Sequence, residues 1–216
     1  MKRAITTFIA ILVYTISLIP QVQVVEQTIT LPDQYSGILS PTCVEYSPSS
    51  NLFYLGGTDG GYVIAIDGAT NQKVARIETG FPVGFMGFNP VANKLYCAEW
   101  GGDDLAIIDC NSNSLLNTIT FNDSSNNYSF CFNSTENKIY IADYRFNGKL
   151  HVVDGETDQL LASISSGSGP FCLAFNPTAN KIYCGNQFDA NIVVIDGASD
   201  QITNTISLRL SSLTMQ

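Results

Sequence analysis

The sequence predicts an all-β protein built from four tandem, four-stranded antiparallel units. Three observations lead there. Of 216 residues, 45% are hydrophobic and only 13% charged, with Asn, Ser, Thr and Gly abundant; this mixture suits short strands joined by turns. One segment recurs four times in a single frame. Each copy divides into four apolar runs of strand length, linked too briefly for crossovers, so neighbouring strands must be antiparallel.

The first element is not part of the repeat. Lys2 and Arg3 precede an apolar stretch over 4–19, broken only by Thr6, Thr7, Tyr14, Thr15 and Ser17 and ended by Pro20. Charge followed by an apolar run is the grammar of an export signal. About 16 residues is short for a spanning helix, which needs about 20, and the Ser17–Pro20 stretch is a poor cleavage site. Residues 1–21 are therefore read as a signal peptide or a membrane anchor helix, with the remainder extracytoplasmic: secreted, periplasmic or on the cell surface. Residues 22–37 follow as a leading outer strand and linker.

Residues 38–210 carry the repeat, with units at about 38–80, 81–123, 124–166 and 167–210. Tyr54, Tyr96, Tyr140 and Tyr183 step by 42, 44 and 43 residues, and Asp67, Asp109, Asp154 and Asp196 by 42, 45 and 42. The second copy predicts strands at 83–89, 94–99, 104–109 and 115–121, rich in Ile, Val, Leu, Phe and Tyr. The stretch from Asn89 to Asn93 turns between the first two, and an Asp-Gly-Ala-Thr-Asn type of turn joins the last two. The Gly after Asp67, Asp154 and Asp196 is expected at positive φ. A four-stranded antiparallel unit of about 43 residues in tandem is a β-propeller blade.

The fourth copy, FNPTANKIYCGN … NIVVIDGASDQITNTI from Phe175 to Ile206, resembles the YVTN-type β-propeller repeat, and the resemblance covers about residues 40–208. Two departures stand out: the first copy has Asn51-Leu52 where the others have Asn-Lys, and the second has Asp109-Cys110 in place of Asp-Gly. The resemblance implies an extracytoplasmic propeller of about seven blades, whereas this chain holds four and a leading strand. An incomplete, open propeller is expected, the alternatives being a closed four-blade ring and an eight-blade ring made by two copies. An open row would expose blade edges, which suits self-association.

In a propeller the loops between second and third strands share one face with the inter-blade loops, and that face carries binding sites. The candidate ligand residues there are Asp59; Glu99, Trp100 and Asp103; Asp143, Tyr144 and Arg145; and Asn186, Gln187 and Asp189. Together they read as an acidic, aromatic-containing surface, against the plainer reading of solvated loops. No catalytic residue, cofactor or metal set is expected. A net charge of −9 without a basic cluster argues against nucleic acid, and no calcium-loop spacing occurs. The single histidine, His151, falls within a third strand and reads as a packed residue. The six cysteines recur at strand positions and read as small buried apolar residues, with Cys131 and Cys172 the pair able to approach. Three Asn-x-Ser/Thr patterns begin at Asn122, Asn127 and Asn133. The functional expectation is a non-catalytic extracytoplasmic module for a protein, peptide or glycan ligand, touching a membrane only through an uncleaved N-terminus. The alternatives are a lactonase-like or quinone-dependent dehydrogenase propeller and a structural cell-surface repeat.

Overall fold

The structure, a computed structural model, describes residues 38, 40–122 and 127–208. The expected export segment, the leading strand and nearly all of its linker lie outside the described residues. Among the described residues, sixteen strands form four sheets and no helix occurs. Blade 1 is β1 (Pro41–Ser47), β2 (Leu52–Gly57), β3 (Tyr62–Asp67) and β4 (Lys73–Glu78). Blade 2 is β5 (Val83–Asn89), β6 (Lys94–Glu99), β7 (Asp104–Asp109) and β8 (Ser114–Thr120). Blade 3 is β9 (Asn127–Asn133), β10 (Lys138–Asp143), β11 (Gly148–Asp154) and β12 (Leu160–Gly167). Blade 4 is β13 (Pro170–Asn176), β14 (Lys181–Asn186), β15 (Asn191–Asp196) and β16 (Ile202–Ser207). Each sheet pairs its strands in chain order, all antiparallel.

The core lies between blades. Registers such as Tyr96 opposite Ile107 put every second side chain on one face. The face bearing the repeat tyrosine, here the trailing face, packs on the opposite, leading face of the next blade. Tyr54, Val63, Ala65 and Ile77 thus meet Leu95, Cys97, Ala106 and Ile108. Tyr96, Ala98, Leu105 and Ile107 meet Ile139, Ile141 and Val153. Tyr140, Ala142, Leu150 and Val152 meet Ile182, Cys184, Val193 and Ile195. At about 1.5–3 kcal/mol per fully buried large side chain, these seams dominate stability. The first strands neighbour one another in the order β1, β5, β9, β13, and β13 does not pack on β1 as these pairs do. The row is open, and the four blades do not close into a ring by themselves.

The repeat's polar signature latches each blade to the next. At the seam between blades 2 and 3, Asn89 Nδ2 donates to Asn137 Oδ1 at 2.9 Å. Lys94 Nζ donates to Gly155 O at 3.2 Å, Glu156 O at 3.1 Å and an Asp158 carboxylate oxygen at 2.8 Å, and Tyr96 OH reaches Asp158 at 3.2 Å. Between blades 3 and 4 the same roles fall to Asn133 on Asn180, Lys138 on Gly197, Ala198 and Asp200, and Tyr140 on Asp200. Burial, reinforced by the adjacent aspartate, holds the Tyr96 and Tyr140 hydroxyls well above the ordinary phenol range.

The two departures in the sequence are halves of one seam. Between blades 1 and 2, Leu52 and Cys110 are buried in the same apolar cluster, Ser47 Oγ donates to Asn93 at 2.7 Å, and Tyr54 OH donates to Asn113 at 2.7 Å. Lys became Leu where the facing Gly became Cys and the facing Asp became Asn. The expected positive φ after the turn aspartates is not found. Gly68, Gly155 and Gly197 are absent from the left-handed region, and the bend is carried by Asn71, Asn113, Asp158 and Asp200 at φ between 55° and 58°, residue types that tolerate it. The glycine serves close approach instead. A Cβ on Gly155 would stand 2.5 Å from Asn89 Nδ2, and one on Gly197 2.5 Å from Asn133 Nδ2. Only the shorter Ser47 leaves room for Cys110.

Candidate functional site

The β2–β3, β6–β7, β10–β11 and β14–β15 loops do share a face with the inter-blade loops. Trp100 N donates to Pro82 O at 2.8 Å and Phe121 N to Asp103 O at 3.0 Å. The lacing is densest between blades 3 and 4. There Gly169 N donates to Arg145 O at 2.7 Å, Gln187 N to Gly169 O at 2.7 Å and Phe188 N to Ser168 O at 3.1 Å. Gly167 and Gly169, at φ 128° and 71°, let the 165–169 segment turn tightly enough to make these bonds.

On this laced platform stands an aromatic shelf. Phe146 stacks on Phe188 with centroids 4.8 Å apart and planes 19° from parallel. Tyr144 lies 5.2 Å from Phe188 and meets Phe171 edge-on at 5.5 Å. Tyr144 OH donates to Gln187 Oε1 at 2.6 Å. Phe146 is 76% exposed and Phe171 49%, which is unusual for clustered phenylalanines and marks a contact surface. Two cavities adjoin it: one of about 490 Å³ lined by Tyr144, Arg145, Phe146, Asn147 and Phe188, and one of about 430 Å³ that includes Phe146, Asn147, Ser168 and Asp189.

The predicted carboxylates do not form an acidic pocket. Asp143 is fully buried and held by Arg145, whose Nε donates to both carboxylate oxygens at 2.8 Å. Asp189 accepts from Ser168 N at 2.7 Å. Asn186 is buried, and its amide donates to Ser166 O and Asn191 Oδ1, each at 2.8 Å. These residues build the platform, while Tyr144, Arg145 and Gln187 face the shelf. Asp59, Glu99, Trp100 and Asp103 sit in the loops of blades 1 and 2 and line neither cavity. Trp100 is 49% exposed but lies apart from the shelf, stacked on Phe85 of its own blade at 6.0 Å, with its ring against the space that Gly84 leaves by lacking a Cβ. Glu99 accepts from Asp104 N at 3.4 Å within its own loop.

Phe146, Phe171 and Phe188 were not among the residues expected from the sequence. The signal was present: Phe146 aligns with Gly60, Gly102 and Asp189, Phe188 with Asp59 and Gly101, and Phe171 with Gly84. Phe146 and Phe188 are large aromatics at loop positions where the other copies carry small or polar residues, and such residues are not packing residues.

Elsewhere, a cleft of about 560 Å³ opens along the first strands between Glu45, Phe85, Phe88, Phe130 and Cys131. Burial pushes the Glu45 carboxyl up and the Cys131 thiol up to about 11. His151 is fully buried, stacked on Phe121 at 4.0 Å, with Nδ1 2.9 Å from Ser163 Oγ. All six cysteines are free. Cys97, Cys110 and Cys184 are buried as expected, but Cys43 and Cys131 are half-buried and Cys172 is exposed, because it lies on the trailing face of blade 4. Asn133 is buried and fully engaged in its seam, so the pattern beginning there offers no accessible glycan acceptor. Among the described residues no three His, Cys, Asp or Glu side chains are grouped to hold a metal ion.

No family profile and no curated protein sequence matches the chain. In structure it is similar to hydrazine synthase of Kuenenia stuttgartiensis, with a TM-score of 0.67 at 16% identity. The match covers 85% of this chain and 52% of that one, so the chain spans about half the length of that structure. At this identity the likeness concerns the fold of the blades alone.

Proposed function

We propose that the chain is an exported, non-catalytic member of the YVTN-type propeller repeat proteins, and that the shelf on blades 3 and 4 binds neutral glycans. The observation that carries the reading is the exposed stack of Phe146 on Phe188 with Tyr144 and Phe171 beside it. Flat apolar rings take the apolar faces of sugar rings, each contact stabilised by the area it buries at about 25 cal/mol per Å². Gln187 and Asn147 at the edges supply donors and acceptors for hydroxyls. A cationic ligand is a poorer fit, because Arg145 already neutralises Asp143 and Asp189 is engaged by Ser168. The burial of His151 between Phe121 and Ser163 speaks against a hydrolytic role for it. Export places such a surface where polysaccharides are found.

The test is retention of the full chain on insoluble neutral polysaccharides such as cellulose and chitin, and titration with soluble oligosaccharides from the one that retains it. Phe146→Ala is expected to weaken binding about tenfold and to leave the melting temperature unchanged, since Phe146 is exposed. Failure of the wild-type chain to bind any neutral glycan, or binding indifferent to Phe146→Ala, refutes the reading.

A further inference from the structure

We infer that the cleft along the first strands of blades 1 to 3 binds a small organic cation, with its ammonium group at the Glu45 carboxylate and its apolar body among Phe85, Phe88, Phe130 and Phe132. The starting observation is a break in the repeat. On the first strand, the residue opposite the repeat tyrosine is Gly87 against Tyr96, Cys131 against Tyr140 and Ala174 against Tyr183. In blade 1 it is Glu45 against Tyr54. Three blades place a small uncharged residue there, and one places a carboxylate. Residues paired across a ladder share a face, so Glu45 lies on the side of blade 1 that meets blade 2. Ser47, two residues further on the same face, donates to Asn93 of that blade. The seam is a formed one, and every residue lining the cleft belongs to blade 1, 2 or 3.

Glu45 meets no charge of opposite sign. It is half-buried and is the one charged residue of the lining. Among the described residues it makes no ion pair; Arg76, Lys94, Lys138 and Arg145 are held by Glu78, Asp158, Asp200 and Asp143. The Tyr46 amide of its own strand bonds its carboxylate, yet burial still raises the carboxyl above its ordinary range, the direction expected where no counter-ion stands by. A desolvated charge is costly unless paired, and the seam does not use this one, since Ser47, Leu52 and Tyr54 make the contacts to blade 2. The rest of the lining is largely apolar and aromatic. Phe130 enters it because Gly87 has no side chain: a Cβ there would stand 2.5 Å from Phe130 Cβ. The volume of about 560 Å³ suits one small molecule. A carboxylate beside phenyl rings selects a cation over a neutral molecule of the same shape. A hard metal ion would need several oxygen ligands, and Glu45 and Ser129 carry the only side-chain oxygens in the lining. An ammonium group on an aryl or alkyl body satisfies both halves of the cleft.

The experiment is calorimetric titration of the full chain, in mild non-ionic detergent, with phenethylammonium and with 2-phenylethanol, a neutral molecule of nearly the same shape. Phenethylammonium is expected to bind at one site at least about tenfold more tightly. Glu45→Gln keeps the shape and removes the charge; it is expected to abolish that preference and to leave the melting temperature equal or higher, since no partner is stranded. In the wild type, saturating phenethylammonium is expected to slow alkylation of Cys131, which lines the cleft, and not that of the exposed Cys172, as read by peptide mass spectrometry. Phe146→Ala should leave the titration unchanged, which separates this site from the shelf. Equal affinity for the two probes, a preference that survives Glu45→Gln, or binding that leaves Cys131 labelling unaltered overturns the inference. So does the absence of saturable phenethylammonium binding up to about 10 mM.

Discussion

Replacing Lys138 with Met tests whether the inter-blade latch stabilises the fold. Lys138 Nζ donates to Gly197 O at 3.1 Å, Ala198 O at 3.3 Å and Asp200 at 2.8 Å, and the side chains of the pair are only 11% and 14% exposed. Methionine keeps the apolar stem and removes the charge, leaving Asp200 and two carbonyls desolvated. Removing one member of a buried pair costs about 3–5 kcal/mol. Tyr140 still donates to Asp200, so the lower end, about 3 kcal/mol, is expected. For a domain of this size that lowers the melting temperature by about 6–12 °C. Adding Asp200→Asn recreates the neutral pattern of Leu52 and Asn113 and should recover all but about 1 kcal/mol, a coupling that a double-mutant cycle measures directly. Urea unfolding of the four proteins, followed by circular dichroism, provides the assay. A Lys138→Met midpoint equal to wild type, or a double variant no more stable than the single, refutes the reasoning.

Two further outcomes rest on the same turns. Gly197→Ala drives a methyl into Asn133 Nδ2 and Asn180 Oδ1 and is expected to cost about 2 kcal/mol. Gly68→Ala, whose methyl would first meet the adjoining Asn51 and not a side chain of another blade, should cost under about 1 kcal/mol, and equal losses in urea titrations would contradict the close-approach account. The turn aspartates titrate low: hydroxyl and amide bonds from Thr70 hold Asp67 down, the Thr157 amide and hydroxyl hold Asp154 down, and the Ser199 amide and hydroxyl hold Asp196 down. Their contribution is present above the ordinary carboxylate value of 3.8 and is lost as pH falls through the lower folded values. Stability should therefore be flat near neutrality and drop below about pH 4; a melting temperature unchanged from pH 6 to pH 3 would contradict this.

Much of the architecture was legible because a propeller repeat writes its anchors in the primary structure. The strands predicted in the second copy coincide with β5, β6 and β7, and β8 begins and ends one residue earlier than expected. The meaning of the anchors was less legible. Asn and Lys after the first turn, and the Asp or Asn closing the third, look like loop residues in one copy; they act across a seam, which self-alignment cannot display. The role of the turn glycine is hidden for the same reason, since its constraint is a side chain some 60 residues away, Asn89 for Gly155 and Asn133 for Gly197. At the candidate site, repeat position alone points to Tyr144, Arg145 and Gln187 as loop residues of the face that carries the shelf. The acidic pocket does not form, because Asp143 and Arg145 sit two residues apart and neutralise each other. The exposed phenylalanines are not legible from type alone, because an apolar residue in a strand-rich repeat ordinarily belongs to the core.

The private seam between blades 1 and 2 has a consequence for how such a chain is assembled. Were blade 2 to follow blade 3 or 4, Cys110 would meet an asparagine amide and a lysine ammonium would meet Asn113 in place of a carboxylate. Were blade 3 or 4 to follow blade 1, Leu52 would lie against a lone aspartate. Ser47, Leu52, Cys110 and Asn113 therefore act as an address written into otherwise interchangeable modules, fixing which neighbour the second blade accepts while the array is still collapsing.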